Sequence, residues 1–195
     1  MLLCVSSFLC SLLFFFVVAS RTCPTHHNLI PSSSSFFFFP LRLTDCGNTN
    51  AAQSKKLLLA HGITRVVNCK SLDDPNFHES DPDFEYLRFP IAYHRRDLSQ
   101  RNNVQATLKY FGRLHNWVDG QLADNKSVLI HCLAGAHRAG TASISYLMHA
   151  GKLSKNDAIK IAQRQRPVIS PIGSFPELLD KLEHALSEKM EDRRK

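Results

Sequence analysis

The sequence has 195 residues, 44% of them hydrophobic, and its 24 basic and 17 acidic side chains give a net charge of +7. A chain of this length is expected to form one domain with a sizeable core. The positive charge favours anionic substrates or surfaces, but no basic stripe with interleaved aromatic residues is present, so no nucleic-acid partner is expected. The cysteines have neither the spacing of a metal site nor the pattern of a disulfide framework. They are Cys4, Cys10, Cys23, Cys46, Cys69 and Cys132.

The first 35 residues form an apolar, low-complexity leader. Residues 1–20 are almost wholly apolar, no Lys or Arg precedes Arg21, and runs of serine and phenylalanine follow at 32–35 and 36–39. Three interpretations stay open: a secretory signal or transit peptide, a membrane anchor, and a translation start placed too early. We therefore divide the chain into a leader over 1–35, a folded domain over 36–190 and a basic tail over 191–195. A membrane partner is expected only if the leader is a real anchor.

Strand and helix patterns alternate between residues 36 and 91. β-Branched residues indicate a strand from Ile63 to Cys69, and Gly62 suits the left-handed position that ends the preceding helix. Two Asp-Pro pairs indicate a surface loop before the next strand. In chain order the predictions are a strand over 36–43, a turn over 45–48, a helix over 51–61, a strand over 63–69, a loop over 71–83 and a strand over 84–91.

The rest of the domain is mainly helical, with one short apolar strand. Apolar side chains recur every three or four residues over Val104–Leu122, as on an amphipathic helix, and this spacing favours a core position for Trp117 over a substrate platform. Capping-box patterns begin at Ser154 and Ser174. The predictions are a polar loop over 92–103, a helix over 104–122, a strand over 127–132, a helix over 139–150 ended by Gly151, a helix over 154–165 and a last helix from 174. Strands alternating with helices indicate an α/β layer fold.

The most informative stretch runs from Ser127 to Thr141. A buried strand ends at Cys132, a short loop follows, and Arg138 leads into a helix. Successive backbone N–H groups in such a loop point at one place, which makes an anion site, and the same donors stabilise a cysteine thiolate. The planar guanidinium of Arg138 can bind two oxygens of a phosphate. A structural cysteine beside an incidental turn is the alternative, but it leaves the position of Gly135 unexplained. The pattern favours a cysteine nucleophile beneath a cradle for a tetrahedral dianion.

This loop resembles the signature His-Cys-x-x-Gly-x-x-Arg of the dual-specificity group of cysteine-dependent protein phosphatases. The resemblance extends from about Leu41 to Leu186, and its clearest further pieces lie at 62–68, 84–91, 146–148 and 166–171. It implies a three-layer α/β fold, in which helices cover both faces of a mixed, mostly parallel sheet of about five strands. It also implies hydrolysis of phosphotyrosine and phosphoserine or phosphothreonine in proteins through a phosphocysteine. No metal or other cofactor is implied, and the catalytic domain, residues 36–190, is expected in the cytoplasm.

The resemblance assigns roles along the loop. Cys132 is the nucleophile, Arg138 stabilises the transferring phosphoryl group, and His131 orients the loop instead of acting as a base. The residues expected to bind the substrate phosphate are His131, Leu133, Ala134, Gly135, Ala136, His137 and Arg138.

The general acid departs from the family pattern. The family takes it from an aspartate after the preceding strand. In this sequence that position is Tyr93 when counted from the strand that ends at 91, and Gln100 when counted back from the helix over 104–122. Asp97 lies between these positions and is the only carboxylate of the loop, so we assign it as the catalytic acid. The alternatives are a solvated aspartate paired with an arginine at 95, 96 or 101, and His94 as the acid.

Three further positions bear on turnover, loop rigidity and redox behaviour. Ala139 replaces the usual hydroxyl residue after the signature arginine, so breakdown of the phosphocysteine is expected to be slow unless Thr141 substitutes. Ile172 stands where many relatives carry an asparagine that braces the loop. Cys69 is either a buried core residue or, as in some lipid-directed relatives, a disulfide partner for Cys132.

Substrate preference has several candidates. A basic rim of Arg95, Arg96, Arg101 and His137 would favour doubly phosphorylated peptides, phosphoinositides or RNA 5′-phosphates. The signature lacks the lysines that lipid-directed relatives carry between the cysteine and the arginine, which favours a phosphoprotein. A catalytically weak phosphate-binding adaptor is the alternative from another class of protein. The oligomeric state is left open.

Overall fold

The computed structural model describes residues 44–98, 103–192 and 194. Within these residues the chain forms strands β1 Thr44–Gly47, β2 Ile63–Asn68, β3 Glu85–Arg88 and β4 Ser127–His131. The α-helices are α1 Thr49–Gln53, α2 Lys55–Ala60, α3 His94–Asp97, α4 Val104–Ala123, α5 Arg138–Gly151, α6 Lys155–Gln165 and α7 Phe175–Asp192. The leader, the strand expected over 36–43 and Arg101 lie outside the described residues. No helix in the described part of the chain is long and apolar enough to cross a bilayer.

The four described strands pair in parallel, in the order β1–β4–β2–β3. β4 lies between β1 and β2, and all five of its residues are buried. Gly47, His131 and Asn68 stand side by side in register at the carboxyl ends of these three strands. The residues that follow them therefore meet at one edge of the sheet, where open α/β sheets place their ligands.

Helices cover both faces of the sheet, so the expected three-layer α/β fold is confirmed. On one face Val128 and Ile130 of β4 belong to the main core, which they share with helices α4 to α7. On the other face Leu129 clusters with Ala52 and Leu58 of α1 and α2. Successive side chains of a strand point to opposite faces. Burial of both faces explains why β4 is a continuous apolar run instead of an alternating one.

Several local predictions agree with the structure. Gly62 has φ of +66° directly after α2, the left-handed conformation expected at a helix end. At the start of α6, Ser154 Oγ accepts the N–H of Asp157 at 3.1 Å. Trp117 packs against the main core, and its indole N–H donates to Glu85 Oε1 at 3.1 Å. Trp117 is therefore a packing residue at the edge of the core.

The prediction of a turn over 45–48 is wrong. Asp45, Cys46 and Gly47 belong to β1 and pair with β4, because the parallel ladder outweighs the turn preference of aspartate and glycine. The helix expected over 51–61 is instead the two helices α1 and α2. Ser54 separates them, since its Oγ accepts the N–H of Leu57 at 3.3 Å and starts α2 anew.

Two other boundaries also differ. The polar loop expected over 92–103 contains a 3₁₀ turn, Ile91–Tyr93, followed by the short helix α3. Helix α5 includes Gly151, and Lys152, with φ of +50°, takes the left-handed position expected of that glycine.

Candidate active site

The loop from Cys132 to His137 connects the carboxyl end of the central strand β4 to the start of α5. Cys132 is almost fully buried, with 2% of its surface exposed. The backbone N–H of Gly135 donates to Cys132 Sγ at 3.3 Å. The loop therefore folds over the sulfur and places a donor on it, as a nucleophilic thiolate requires.

Five consecutive carbonyl groups of the loop, those of residues 132–136, accept hydrogen bonds from donors outside the loop. In a trans peptide unit the C=O points away from the N–H of the next residue. Carbonyls held outward by external donors therefore leave the N–H groups of residues 133–137 on the other side, where they can converge on an anion. The bonds are Thr49 Oγ1 to Cys132 O at 3.3 Å, Thr49 N to Leu133 O at 3.1 Å, Arg166 Nη2 to Ala134 O at 3.2 Å, Arg166 Nε and Cys46 Sγ to Gly135 O at 3.4 and 3.5 Å, and Ser170 N to Ala136 O at 3.1 Å.

Gly135 is required by both conformation and space. Its φ is +70°, and a Cβ at this position would lie 2.6 Å from the carbonyl oxygen of Gly47 at the end of β1. A side chain would thus be strained and would collide with backbone. The glycine lets the loop pack directly against the neighbouring strand.

Arg138 is the first residue of α5 and is partly buried. The loop that follows β2 lies close enough to interact with its charge. The pKa of the Asp74 carboxyl is held below its usual range by a hydrogen bond from Lys70 and, in smaller part, by Arg138. Lys70 Nζ lies 2.7 Å from Asp74 Oδ1. A Lys70–Asp74 ion pair thus lies near Arg138.

His131 is fully buried at the end of β4. Burial, with help from the charge of Lys70, lowers its pKa to about 4. The ring lies 6.2 Å from that of Phe77. A neutral ring of such low basicity suits a packing role better than that of a base. The expectation that it orients the loop stays a prediction.

Asp97 ends the short helix α3, and 36% of its side chain is exposed. Its carboxylate pairs with Arg96 Nε at 3.7 Å, and the guanidinium of Arg96 also lies over the Tyr93 ring. This is the arginine-paired arrangement considered as the alternative to a catalytic acid. Within the described residues, no hydrogen bond or ion pair joins Asp97 to Cys132 or Arg138. Its role as the acid stays a prediction.

His94, the second candidate for the acid, has a packing role. The side chain is buried, with Nδ1 3.0 Å from the carbonyl oxygen of Ile91 and its ring 5.9 Å from that of Phe175. Burial lowers its pKa below the ordinary value. Its role as the acid, like that of Asp97, stays a prediction.

Thr141 does not offer its hydroxyl to the cradle. The side chain is fully buried, and Oγ1 donates to the carbonyl oxygen of His137 at 2.7 Å, one turn back along α5. Ala139 is also fully buried and has no hydroxyl. Neither position therefore supplies the hydroxyl that the family uses after the signature arginine.

Arg166 and Ser170 brace the loop although Ile172 replaces the usual asparagine. Besides the bonds that Arg166 and Ser170 N donate to loop carbonyls, the carbonyl oxygen of Ser170 accepts a 2.6 Å hydrogen bond from His137 Nδ1. Sequence reasoning missed the role of Arg166 and of Thr49. The family-like piece at 166–171 pointed to Arg166, whereas nothing in the sequence pointed to Thr49.

Cys46 and Cys69 are fully buried free thiols beside the loop. Burial raises the pKa of each thiol, and neighbouring Cys132 adds to both shifts. A buried, protonated thiol is a weak nucleophile. The core role of Cys69 is therefore favoured, and its pairing with Cys132 stays a prediction.

Comparison with known proteins identifies the family. The catalytic-domain model of the dual specificity phosphatases matches residues 46–185. The chain is 34% identical over 136 residues to dual specificity protein phosphatase 9 of Homo sapiens, covering 69% of this chain and 33% of that protein. It is 32% identical over 136 residues to dual specificity protein phosphatase 14 of Mus musculus, covering 69% and 63%. The chain belongs to the dual specificity phosphatase family, and it spans less than two thirds of the length of these relatives.

Solved structures share the fold. Human DUSP28 superposes with a TM-score of 0.63 at 22% identity, covering 80% of this chain and 98% of that one. A mouse putative dual specificity phosphatase complexed with zinc tungstate gives a TM-score of 0.63 at 24% identity, covering 86% and 97%.

Proposed function

We propose that this protein is a cysteine-dependent phosphatase that hydrolyses phosphotyrosine and phosphoserine or phosphothreonine in proteins. The observation that carries the proposal is the loop at the end of β4. Its carbonyls are bonded outward, the Gly135 N–H rests on Cys132 Sγ, and Arg138 follows at the start of α5. These groups are what a phosphoryl transfer to cysteine needs: a nucleophile, backbone N–H donors and a cation.

The first step transfers the phosphoryl group to sulfur. The Cys132 thiolate attacks phosphorus, an S–P bond forms, and the P–O bond to the substrate side chain breaks. The inward N–H groups and the Arg138 guanidinium stabilise the charge on the equatorial oxygens. Asp97 gives its proton to the leaving oxygen, so that the substrate departs as a neutral phenol or alcohol.

The second step hydrolyses the phosphocysteine. Water attacks phosphorus, the S–P bond breaks, the sulfur leaves as thiolate, and one proton of the water passes to Asp97. The family assists this step with a hydroxyl after the signature arginine. Ala139 lacks one, and the Thr141 hydroxyl is bonded to the His137 carbonyl. We therefore expect hydrolysis of the intermediate to limit turnover.

The test is pre-steady-state kinetics of the full chain with an aryl phosphate. We expect a burst of phenol followed by a slower steady state, a faster steady state in Ala139→Ser, and no phenol release from Cys132→Ser, which should still bind vanadate. A wild-type chain that binds vanadate but releases no phenol would instead establish the phosphate-binding adaptor, which the missing hydroxyl also favours. Equal rates for wild type and Cys132→Ser would refute the mechanism.

The substrate class needs a separate comparison. A phosphotyrosine peptide, a phosphothreonine peptide, a phosphoinositide and an RNA 5′-phosphate should be ranked by kcat/KM under one set of conditions. We expect both peptides to exceed the lipid and the RNA. A higher value for either of those two would reassign the same chemistry to another substrate.

A further inference from the structure

Three aliphatic side chains around the loop are unusually exposed. Leu133, Val168 and Ile172 expose 63%, 54% and 51% of their surfaces, the highest values among the large hydrophobic residues that the structure describes. We call these three residues the aliphatic rim. Single exposed apolar side chains are normal, but their position on both sides of a functional loop makes these three candidates for a binding role.

The rim lies at both ends of the loop from Cys132 to His137, which we call the phosphate loop. Leu133 directly follows Cys132, so their Cα atoms are about 3.8 Å apart. At the other end, Ser170 N donates to Ala136 O at 3.1 Å. Val168 and Ile172 are each two residues from Ser170, hence within about 7 Å of it along the chain. The rim therefore brackets the position that a bound phosphoryl group would occupy.

Three basic side chains of this region have partners within the described residues. The Arg166 guanidinium donates to two loop carbonyls, Lys70 pairs with Asp74 at 2.7 Å, and Arg96 pairs with Asp97 at 3.7 Å. The basic rim expected from the sequence stays a prediction, because Arg95 is exposed and Arg101 lies outside the described residues.

We propose that the aliphatic rim binds apolar side chains on both sides of the phosphorylated residue of a protein substrate. The inference rests on the proposed phosphatase function and deepens it. An extended peptide advances about 3.3–3.6 Å per residue, so the first two residues on either side of the phosphoresidue can reach the rim. The occupant is a peptide segment with leucine, valine or isoleucine at these positions.

The test uses three phosphopeptides that differ only at the flanking positions, which carry leucine, serine or glutamate. Partial burial of one or two aliphatic side chains corresponds to about a tenfold higher kcat/KM for the leucine peptide over the serine peptide. The variants are Val168→Ser, Ile172→Ser and their combination, each assayed on the full chain. Leu59→Ser is the matched control, because Leu59 is 49% exposed on α2, which leads into the amino end of β2 and not to the carboxyl ends where the loop lies.

The expected result is that the double variant loses the leucine preference but hydrolyses a small aryl phosphate at the wild-type rate. Leu59→Ser should keep both properties. A leucine preference that persists in the double variant, or that is absent from wild type, overturns the rim while leaving the phosphatase function standing. Absence of aryl phosphate hydrolysis in wild type would instead refute the function itself.

Binding to vesicles of phosphatidylcholine and phosphatidylserine distinguishes a membrane from a peptide as the occupant. We expect wild type and the double variant to bind such vesicles equally. A loss of vesicle binding confined to the double variant, with peptide preference unchanged, would assign the rim to a lipid surface and overturn the proposal.

Discussion

Gly135→Ala probes how the phosphate loop packs against strand β1. The new Cβ would lie 2.6 Å from Gly47 O and 2.7 Å from Gly47 C, both backbone atoms that cannot rotate away. The loop or the end of β1 must therefore move. Because the Gly135 N–H rests on Cys132 Sγ at 3.3 Å, a movement of the loop also displaces this donor from the nucleophile.

Gly62→Ala is a matched control for the conformational part of this effect. Gly62 has φ of +66°, close to the +70° of Gly135, but its added Cβ would meet nothing nearer than Ser127 Oγ at 3.9 Å. Placing alanine in the left-handed region costs about 1–2 kcal/mol, and both variants carry this cost. Any additional loss in Gly135→Ala measures the backbone collision.

Denaturant unfolding and aryl phosphate kinetics together give the answer. We expect Gly62→Ala to lose about 1–2 kcal/mol of unfolding free energy and keep its kcat/KM. Gly135→Ala should be less stable than that, and its kcat should fall on the order of 100- to 1000-fold, the usual result of misplacing a transition-state donor. Wild-type kcat in Gly135→Ala, or equal stability of the two variants, would refute the packing argument.

Three further predictions concern Arg166 beside the loop, His115 in the core and Asp97 on α3. Arg166→Ala, compared with Arg164→Ala at an exposed position near the end of α6, should lower kcat on the order of 10- to 100-fold because Ala134 O loses its donor and Gly135 O keeps only Cys46 Sγ; equal kcat for the two variants in an aryl phosphate assay would contradict this. The pKa of His115 is lowered by burial to about 3 from 6.5, so the unfolded chain takes up this proton first, and the free energy of unfolding should fall by on the order of 2–5 kcal/mol between pH 6.5 and 3. His115→Phe should flatten that slope in urea titrations, since Ser145 keeps its bond to the Ala142 carbonyl; an unchanged slope would exclude His115 as the cause. Asp97→Ala should slow an alkyl phosphate more than a nitrophenyl phosphate, whose leaving group needs no proton, and equal slowing of both would remove Asp97 from the acid role.

The parts of the site that local sequence determines were predictable. Cys132, Gly135 and Arg138 lie within seven residues, and a strand, a tight loop and a helix start follow directly from that stretch. The left-handed Gly62 and the Ser154 cap are likewise local features. Such features depend on backbone preferences that a few neighbouring residues fix.

The parts that failed depend on distant partners. Asp45 and Gly47 suggested a turn, but β1 forms because β4, more than 80 residues later, pairs with it. Thr49 holds loop carbonyls from an element more than 80 residues earlier in the sequence, so no local pattern assigns it that role. Asp97 was predicted to lie in a loop, but it ends a short helix and pairs with Arg96. Counting residues from the flanking strand and helix does not predict this short helix.

The central claim is that Cys132 carries the phosphoryl group during turnover. The most direct measurement is rapid acid quenching of the full chain with an aryl phosphate, followed by mass spectrometry of the peptide that contains Cys132. The account predicts a phosphoryl adduct on Cys132 that accumulates in wild type because Ala139 slows its hydrolysis, and that is absent from Cys132→Ser. Steady hydrolysis with no adduct on Cys132, or an adduct on another residue, would contradict it.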